Sequence, residues 1–213
     1  MSGPATIILT GESGAGKTLT ASHLLESRPH GFSGLLSLSA SEKGARRAIV
    51  ARLLPEGDEV ALAHLTRRAP HPGKPPSFEN ALDDAGRAVV RLGPWDFSPR
   101  AIESVNRHLC RLAEEGRAAP PPRRIIIDEI GPLELVHGAG FLPGLRAVAE
   151  AALPSVIVVR PSLVESIRAF LAAVRGTDSA ARVAVVEISR PADSPRTRDA
   201  VLAMLDDPDA GAV

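Results

Sequence analysis

The chain has 213 residues, 44% of them hydrophobic and 23% charged. These are globular proportions; they set aside wholesale disorder and collagen-like fibres, and they suit one domain with at most a modest insertion. Charge balances at 25 basic against 25 acidic residues, so net charge gives no indication of a nucleic-acid partner and does not exclude one as an acceptor. One cysteine, Cys110, rules out an internal disulfide and a multi-cysteine zinc site. No apolar run approaches the roughly 20 residues of a membrane span.

In chain order, Ala5 to Thr10 is a short apolar run rich in β-branched residues, a buried strand. It feeds a glycine-rich loop that a cleaved signal peptide would destroy, so the expected location is cytoplasmic. Residues 17–27 form a helix that ends before Pro29. Residues 31–38, 45–54 and 59–65 are short strands divided by Gly, Pro and Asp. Residues 67–77 hold four Pro and are loop. Residues 87–92 give another strand.

Ser98-Pro99 places an N-cap before a Pro at the first helical position. The helix runs to about Glu115, with Ile102, Val105, Leu109 and Leu112 at helical spacing. After a Pro-rich link, Ile125-Ile126-Ile127 is the continuous apolar strand of a sheet covered on both faces. A helix near 141–152, the strand Ser155–Val159, and a helix to about Val174 opened by the box Ser162-x-x-Glu165 follow. The strand Arg182–Ser189 and a helix from Ser194-Pro195 to Leu205 complete the order, with 206–213 as a tail. The expected fold is a single α/β domain: a mainly parallel sheet with helices on both faces, and an antiparallel β addition from residues 31–95.

Gly11-Glu12-Ser13-Gly14-Ala15-Gly16-Lys17-Thr18 matches G-x-x-x-x-G-K-[ST]. Glycines let successive backbone N–H groups curl around phosphate oxygens, and the following helix points its positive end at them. Lys17 is one of three lysines in the chain; its expected role is to reach the β- and γ-phosphates, and the Thr18 hydroxyl is expected to ligate Mg²⁺.

Ile125-Ile126-Ile127-Asp128-Glu129 is an apolar strand ending in two carboxylates. With a phosphate loop present, Asp128 is the expected metal partner of Thr18. The chain has no Gln, so the water-orienting residue of Ras-like GTPases is missing, and Glu129 is the candidate for positioning or deprotonating water. The alternative is that Glu129 caps the strand or pairs with an Arg. Asp128-Glu129-Ile130-Gly131 also satisfies D-x-x-G. The N-K-x-D guanine clamp is absent, because the two Asn, Asn80 and Asn106, precede Ala and Arg. An L-S-G-G-Q signature is absent too.

Asp128-Glu129-Ile130-Gly131-Pro132-Leu133-Glu134-Leu135, with a phosphate loop near the N-terminus, resembles the small P-loop nucleoside-triphosphatase family of thermophilic bacterial and animal cancer-related members. Gly31-Phe32 and Val158-Val159-Arg160 look like further family features. The resemblance implies Mg²⁺-dependent hydrolysis of ATP, GTP and other nucleoside triphosphates, on a fold related to RecA-like ATPases and nucleotide kinases. Two departures stand out: Ser13 replaces a frequent Pro, and Pro132-Leu133 replace a frequent Lys-Met. Two other functions use the same loop: a kinase acting on a small molecule or polynucleotide, with 31–95 as acceptor site, and a slow nucleotide-dependent switch.

Arg160 ends a strand on the side where parallel sheets bind ligands, and is a candidate for contacting the γ-phosphate; the alternative is a solvated Arg or a carboxylate's partner. Arg46, Arg47, Arg168 and Arg175 are weaker candidates. Glu134 belongs to the family-like motif; the alternative is a salt bridge or a helix start. Trp95 and Phe97 either stack on a base or pack in the core. His23, His64, His71 and His137 lack metal-ligand spacing, and Cys110 is a buried or half-buried thiol.

Overall fold

The computed structural model describes residues 6–42, 45–66, 78–83, 85–118, 124–176 and 182–206. The elements run β1 (Thr6–Thr10), α1 (Lys17–Ser27), β2 (Phe32–Glu42), β3 (Ala45–Leu54), β4 (Glu59–Leu65), β5 (Phe78–Leu82), β6 (Ala88–Leu92), β7 (Trp95–Phe97) and α2 (Pro99–Ala118). There follow β8 (Arg124–Ile130), α3 (Pro132–Leu135), α4 (Leu142–Glu150), β9 (Ser155–Val159), α5 (Val164–Arg175), β10 (Val183–Glu187) and α6 (Ser194–Asp206). The expected loop at 67–77, most of the Pro-rich link and the tail beyond Asp206 lie outside the described residues.

All the described strands join one sheet, in the order β10-β1-β9-β8-β2-β3-β4-β7-β6-β5. From β10 to β2 every pairing is parallel. From β3 to β5 every pairing is antiparallel. The antiparallel addition therefore begins at β3. β2 belongs to both halves, because one edge pairs parallel with β8 and the other antiparallel with β3. The order also places β9 between β1 and β8, so the strand feeding the glycine loop and the strand ending in carboxylates are not neighbours.

Alternation divides the apolar residues between the two faces of the sheet. Ile8, Ile125 and Ile127 share a cluster with Leu109 of α2, Leu145 of α4 and Ile167 of α5. Ile7, Leu9 and Ile126 share the other with Leu24 of α1 and Val201 of α6. Helices thus cover both faces, which is why the central strands are continuously apolar.

The Ser98 cap forms: its hydroxyl accepts the Ala101 N–H at 3.3 Å. The box at Ser162 does not. A 3₁₀ turn over Pro161–Leu163 precedes α5, and no side chain caps that helix. Pro161 starts the turn one residue early, which leaves Ser162 inside it. β7 and α3 are too short to stand out by periodicity, and β5 (Phe-Glu-Asn-Ala-Leu) carries neither an apolar run nor strict alternation. In β7 the middle residue, Asp96, is buried and grips Arg91 of β6 through two bonds of 2.6 and 2.8 Å.

Gly34 of β2 lies opposite Ile126 of β8 in the parallel pairing. Its φ is +117°, and a Cβ there would collide with the Ile126 carbonyl. His108 of α2 buttresses the same point, its Nε2 lying 3.1 Å from the carbonyls of both Gly34 and Leu54. Burial pushes the imidazole pKa down, while the bonds from Nε2 to the two carbonyls pull the other way; the neutral ring leaves Nδ1 free to accept from Arg111 Nη2 at 3.1 Å. Gly34→Ala is expected to cost roughly 2–4 kcal/mol by combining backbone strain with overpacking. Urea denaturation of the variant checks this; an unchanged midpoint would contradict it.

Candidate active site

The site lies at the carboxyl ends of β1, β8 and β9, the edge where open parallel sheets bind ligands. β1 is buried throughout and delivers the loop Gly11–Gly16 straight into α1. Gly16 caps α1 with φ +104°, and a side chain there would strike Pro191. The position thus demands glycine for both conformation and space. Glu12, Ser13 and Gly14 are exposed at the loop tip, while Ala15 packs inward. Lys17 is buried and folds back over the loop, donating from Nζ to the carbonyls of Gly11 at 2.7 Å and Glu12 at 2.9 Å.

The loop meets the acidic strand through Thr18, whose Oγ1 donates to Asp128 Oδ1 at 3.3 Å. Asp128 has no solvent exposure. Burial pushes its carboxyl up to about 7, and the neighbouring Glu129 adds to the rise; Thr18, Ser37 and Lys17 pull against it. β8 and β9 pair at Ile127–Ile157 and again at Ile130–Val159. Two residues, Asp128 and Glu129, thus face the single Val158, which makes a bulge. Such a bulge re-aims side chains, and here it sets two adjacent carboxylates at the sheet's ligand-binding edge.

Ser37 of β2 holds this bulge, and no motif in the sequence contains it. Its N–H donates to Asp128 Oδ2 at 3.2 Å. Its hydroxyl donates to the Asp128 carbonyl and accepts the Glu129 N–H at 3.1 Å. The only sequence signal was a lone serine in the apolar stretch Leu35-Leu36-Ser37-Leu38.

Glu129 pairs with Arg160, whose Nε donates to Oε1 at 3.0 Å. The ion-pair alternatives for both residues are thus realised in one contact, in which the two functional candidates hold each other. Arg160 is about half exposed and Glu129 about a quarter, at 52% and 26%, so water screens the pair and either member is free to rearrange.

Glu134 starts a helix. Its carboxylate accepts the N–H groups of Gly131 at 2.9 Å and Phe141 at 3.0 Å, and burial pushes its pKa up to about 7. Arg175 lies at the opposite edge of the sheet. It donates to Thr6 Oγ1 at the start of β1 and to the Ala149 carbonyl, so it does not reach the loop. Arg168 is exposed on α5, and the side chains of Arg46 and Arg47, like the whole of His71, lie outside the described residues. Phe97 packs on the core and, with Trp95, lines a cavity. His23 bonds Ser194 through Nδ1 at 2.9 Å, tying α1 to α6. Cys110 is half-buried. Among the described residues, no three His, Cys, Asp or Glu gather as a metal site, and no helix is long and apolar enough to cross a membrane.

Removing the Asp128 charge should relieve its burial. The folded state holds the Asp128 proton up to about 7 against an ordinary 3.8, so the folded state binds it more tightly than the unfolded chain does. Stability without nucleotide or metal therefore falls as pH rises through that interval. Asp128→Asn is expected to raise the melting temperature at pH well above 7, with the gain shrinking as pH falls towards about 4. Melting curves across that range check it; a gain independent of pH would contradict the assignment.

A buried strand, a glycine loop closing on a helix, and a buried acid two strands away define a P-loop NTPase. The chain belongs to the AAA domain family, whose profile matches residues 1–167. Two solved structures share the fold. THEP1 from the hyperthermophile Aquifex aeolicus matches at 18% identity and TM-score 0.64, covering 95% of this chain and 99% of its own. A human cancer-related nucleoside triphosphatase matches at 22% identity and TM-score 0.62, covering 93% and 97%. Both are small P-loop NTPases, as the acidic motif led us to expect. No curated protein matches the sequence.

Proposed function

We propose that the chain hydrolyses nucleoside triphosphates, ATP and GTP among them, to the diphosphate and phosphate with Mg²⁺. The observation that carries this reading is Glu129. It sits one residue beyond the acid that Thr18 touches, part exposed, with its carboxylate paired to the screened Arg160.

Gly11 to Thr18 would wrap the triphosphate with backbone N–H groups. Lys17 would exchange two neutral carbonyl partners for charged β- and γ-phosphate oxygens, which bind an ammonium more strongly. Thr18 and Asp128 offer a hydroxyl and a carboxylate. This sparse, hard-oxygen set suits Mg²⁺, which takes few protein ligands and leaves the rest to phosphates and water. Charge neutralisation explains why a buried carboxylate whose ionisation is suppressed would be kept there. When bound, Mg²⁺ would draw charge off the phosphate oxygens. Glu129 would orient a water and accept its proton, and Arg160, swinging from Glu129, would meet charge on the γ-phosphoryl group.

Phosphate release from ATP and from GTP tests this. Neither a guanine clamp nor an adenine motif is present, so phosphate contacts dominate affinity. The two rates are expected within about tenfold, or roughly 1.4 kcal/mol. A thousandfold preference would show a base pocket outside this account.

A further inference from the structure

A cavity of about 280 Å³ opens beside Glu129. It lies between the antiparallel extension and the ends of β8 and β9. Its walls include Leu62 of β4, Trp95 and Phe97 of β7, and Phe141 just before α4, while Glu129 and Arg160 supply polar lining. Ser37 lines it too, and Ser37 also bonds Asp128, so the cavity adjoins the carboxylate that meets the phosphate loop. Apolar walls with a few convergent polar groups are the composition of a small-molecule site, and the volume falls near the small end of the usual range of roughly 300–1,000 Å³. Hydrolysis has no use for such a space, because water needs no aromatic wall.

We infer that this cavity is a second-substrate site for a compact molecule with an aromatic ring and a hydroxyl group, the ring against Trp95, Phe97 and Phe141 and the hydroxyl at Glu129. The inference rests on the proposed placement of a γ-phosphoryl group beside Glu129. In the resulting transfer, the acceptor oxygen bonds to the γ-phosphorus as the bond to the β,γ-bridging oxygen breaks. The hydroxyl proton passes to Glu129, and a phosphate monoester and the nucleoside diphosphate leave. Water takes the hydroxyl's place when no acceptor is bound. The size of the cavity selects a single ring system over a polynucleotide end with its neighbouring nucleotides.

The chain provides its own reporter. Trp95 is the one tryptophan and there is no tyrosine, so intrinsic emission comes from the cavity wall. 2-Phenylethanol is a suitable probe. Titrated into the full chain without nucleotide, it is expected to change Trp95 emission saturably. With γ-labelled ATP and Mg²⁺, it is expected to yield labelled 2-phenylethyl phosphate alongside inorganic phosphate. Leu92 also lines the cavity, and Leu92→Phe should fill it, raising the half-saturating probe concentration roughly tenfold or more while leaving phosphate release unchanged. A linear, non-saturating emission change in the wild-type chain would overturn the site. Saturable binding with inorganic phosphate as the sole labelled product would overturn the acceptor role. The emission titration uses no nucleotide, so its outcome is independent of whether the chain hydrolyses triphosphates.

Discussion

Glu129→Gln is expected to lower kcat for ATP hydrolysis by roughly 10²-fold or more, the scale of a lost general base. The substitution keeps the side chain's shape and removes its charge and basicity. Binding of Mg²⁺-ATP should change little, because Thr18, Asp128 and the loop are untouched. The variant also breaks the charge pairing with Arg160, which frees the guanidinium and is expected to leave KM equal or lower. Asp128→Asn should behave differently, weakening metal-dependent binding together with turnover. Single-turnover hydrolysis and nucleotide titration of both variants separate the roles. Full activity in Glu129→Gln would remove Glu129 from the mechanism and move attention to a water held by backbone groups or Arg160.

Lys17→Ala is expected to abolish useful triphosphate affinity. The buried ammonium is held by the carbonyls of Gly11 and Glu12, within the loop itself. Its loss removes the point charge for the β- and γ-phosphates, and a lost charge-assisted contact of about 2–3 kcal/mol alone corresponds to roughly 30–150-fold. The two carbonyls also lose their donor, so the loop is expected to loosen without nucleotide. Calorimetry of the folded variant with Mg²⁺-ATP checks this. Unchanged affinity would show that the loop does not grip the triphosphate as described.

What the sequence revealed depended on whether the chemistry was local. The phosphate loop is eight consecutive residues between a strand and a helix, so motif and context appear together. β9 and α1 emerged with their observed ends because apolar runs and flanking Pro bound them. The acidic strand was legible for the same reason. Ser37 was not, because its partners Asp128 and Glu129 lie about 90 residues away in the chain and meet it only through the β2–β8 pairing. The Glu129–Arg160 contact was foreseen for each residue separately, as an alternative to function, but not as one pair. β2 was assigned wholly to the antiparallel extension, since a strand's own residues do not reveal that its two edges pair in opposite senses. The Ser162 box failed because Pro161 shifted the start of the turn, a local competition that the four-residue pattern does not register.

The most direct test of the account is the product of a single turnover. Excess protein is mixed with γ-labelled ATP, with Mg²⁺ or with EDTA, and the products are separated. In the absence of an added acceptor, the site described above predicts ADP and labelled inorganic phosphate in the Mg²⁺ reaction and intact ATP in the EDTA reaction. AMP with pyrophosphate, equal turnover without the metal, or ATP left intact by a protein shown to bind it would contradict the assignment of Lys17, Thr18, Asp128 and Glu129 to nucleoside-triphosphate hydrolysis.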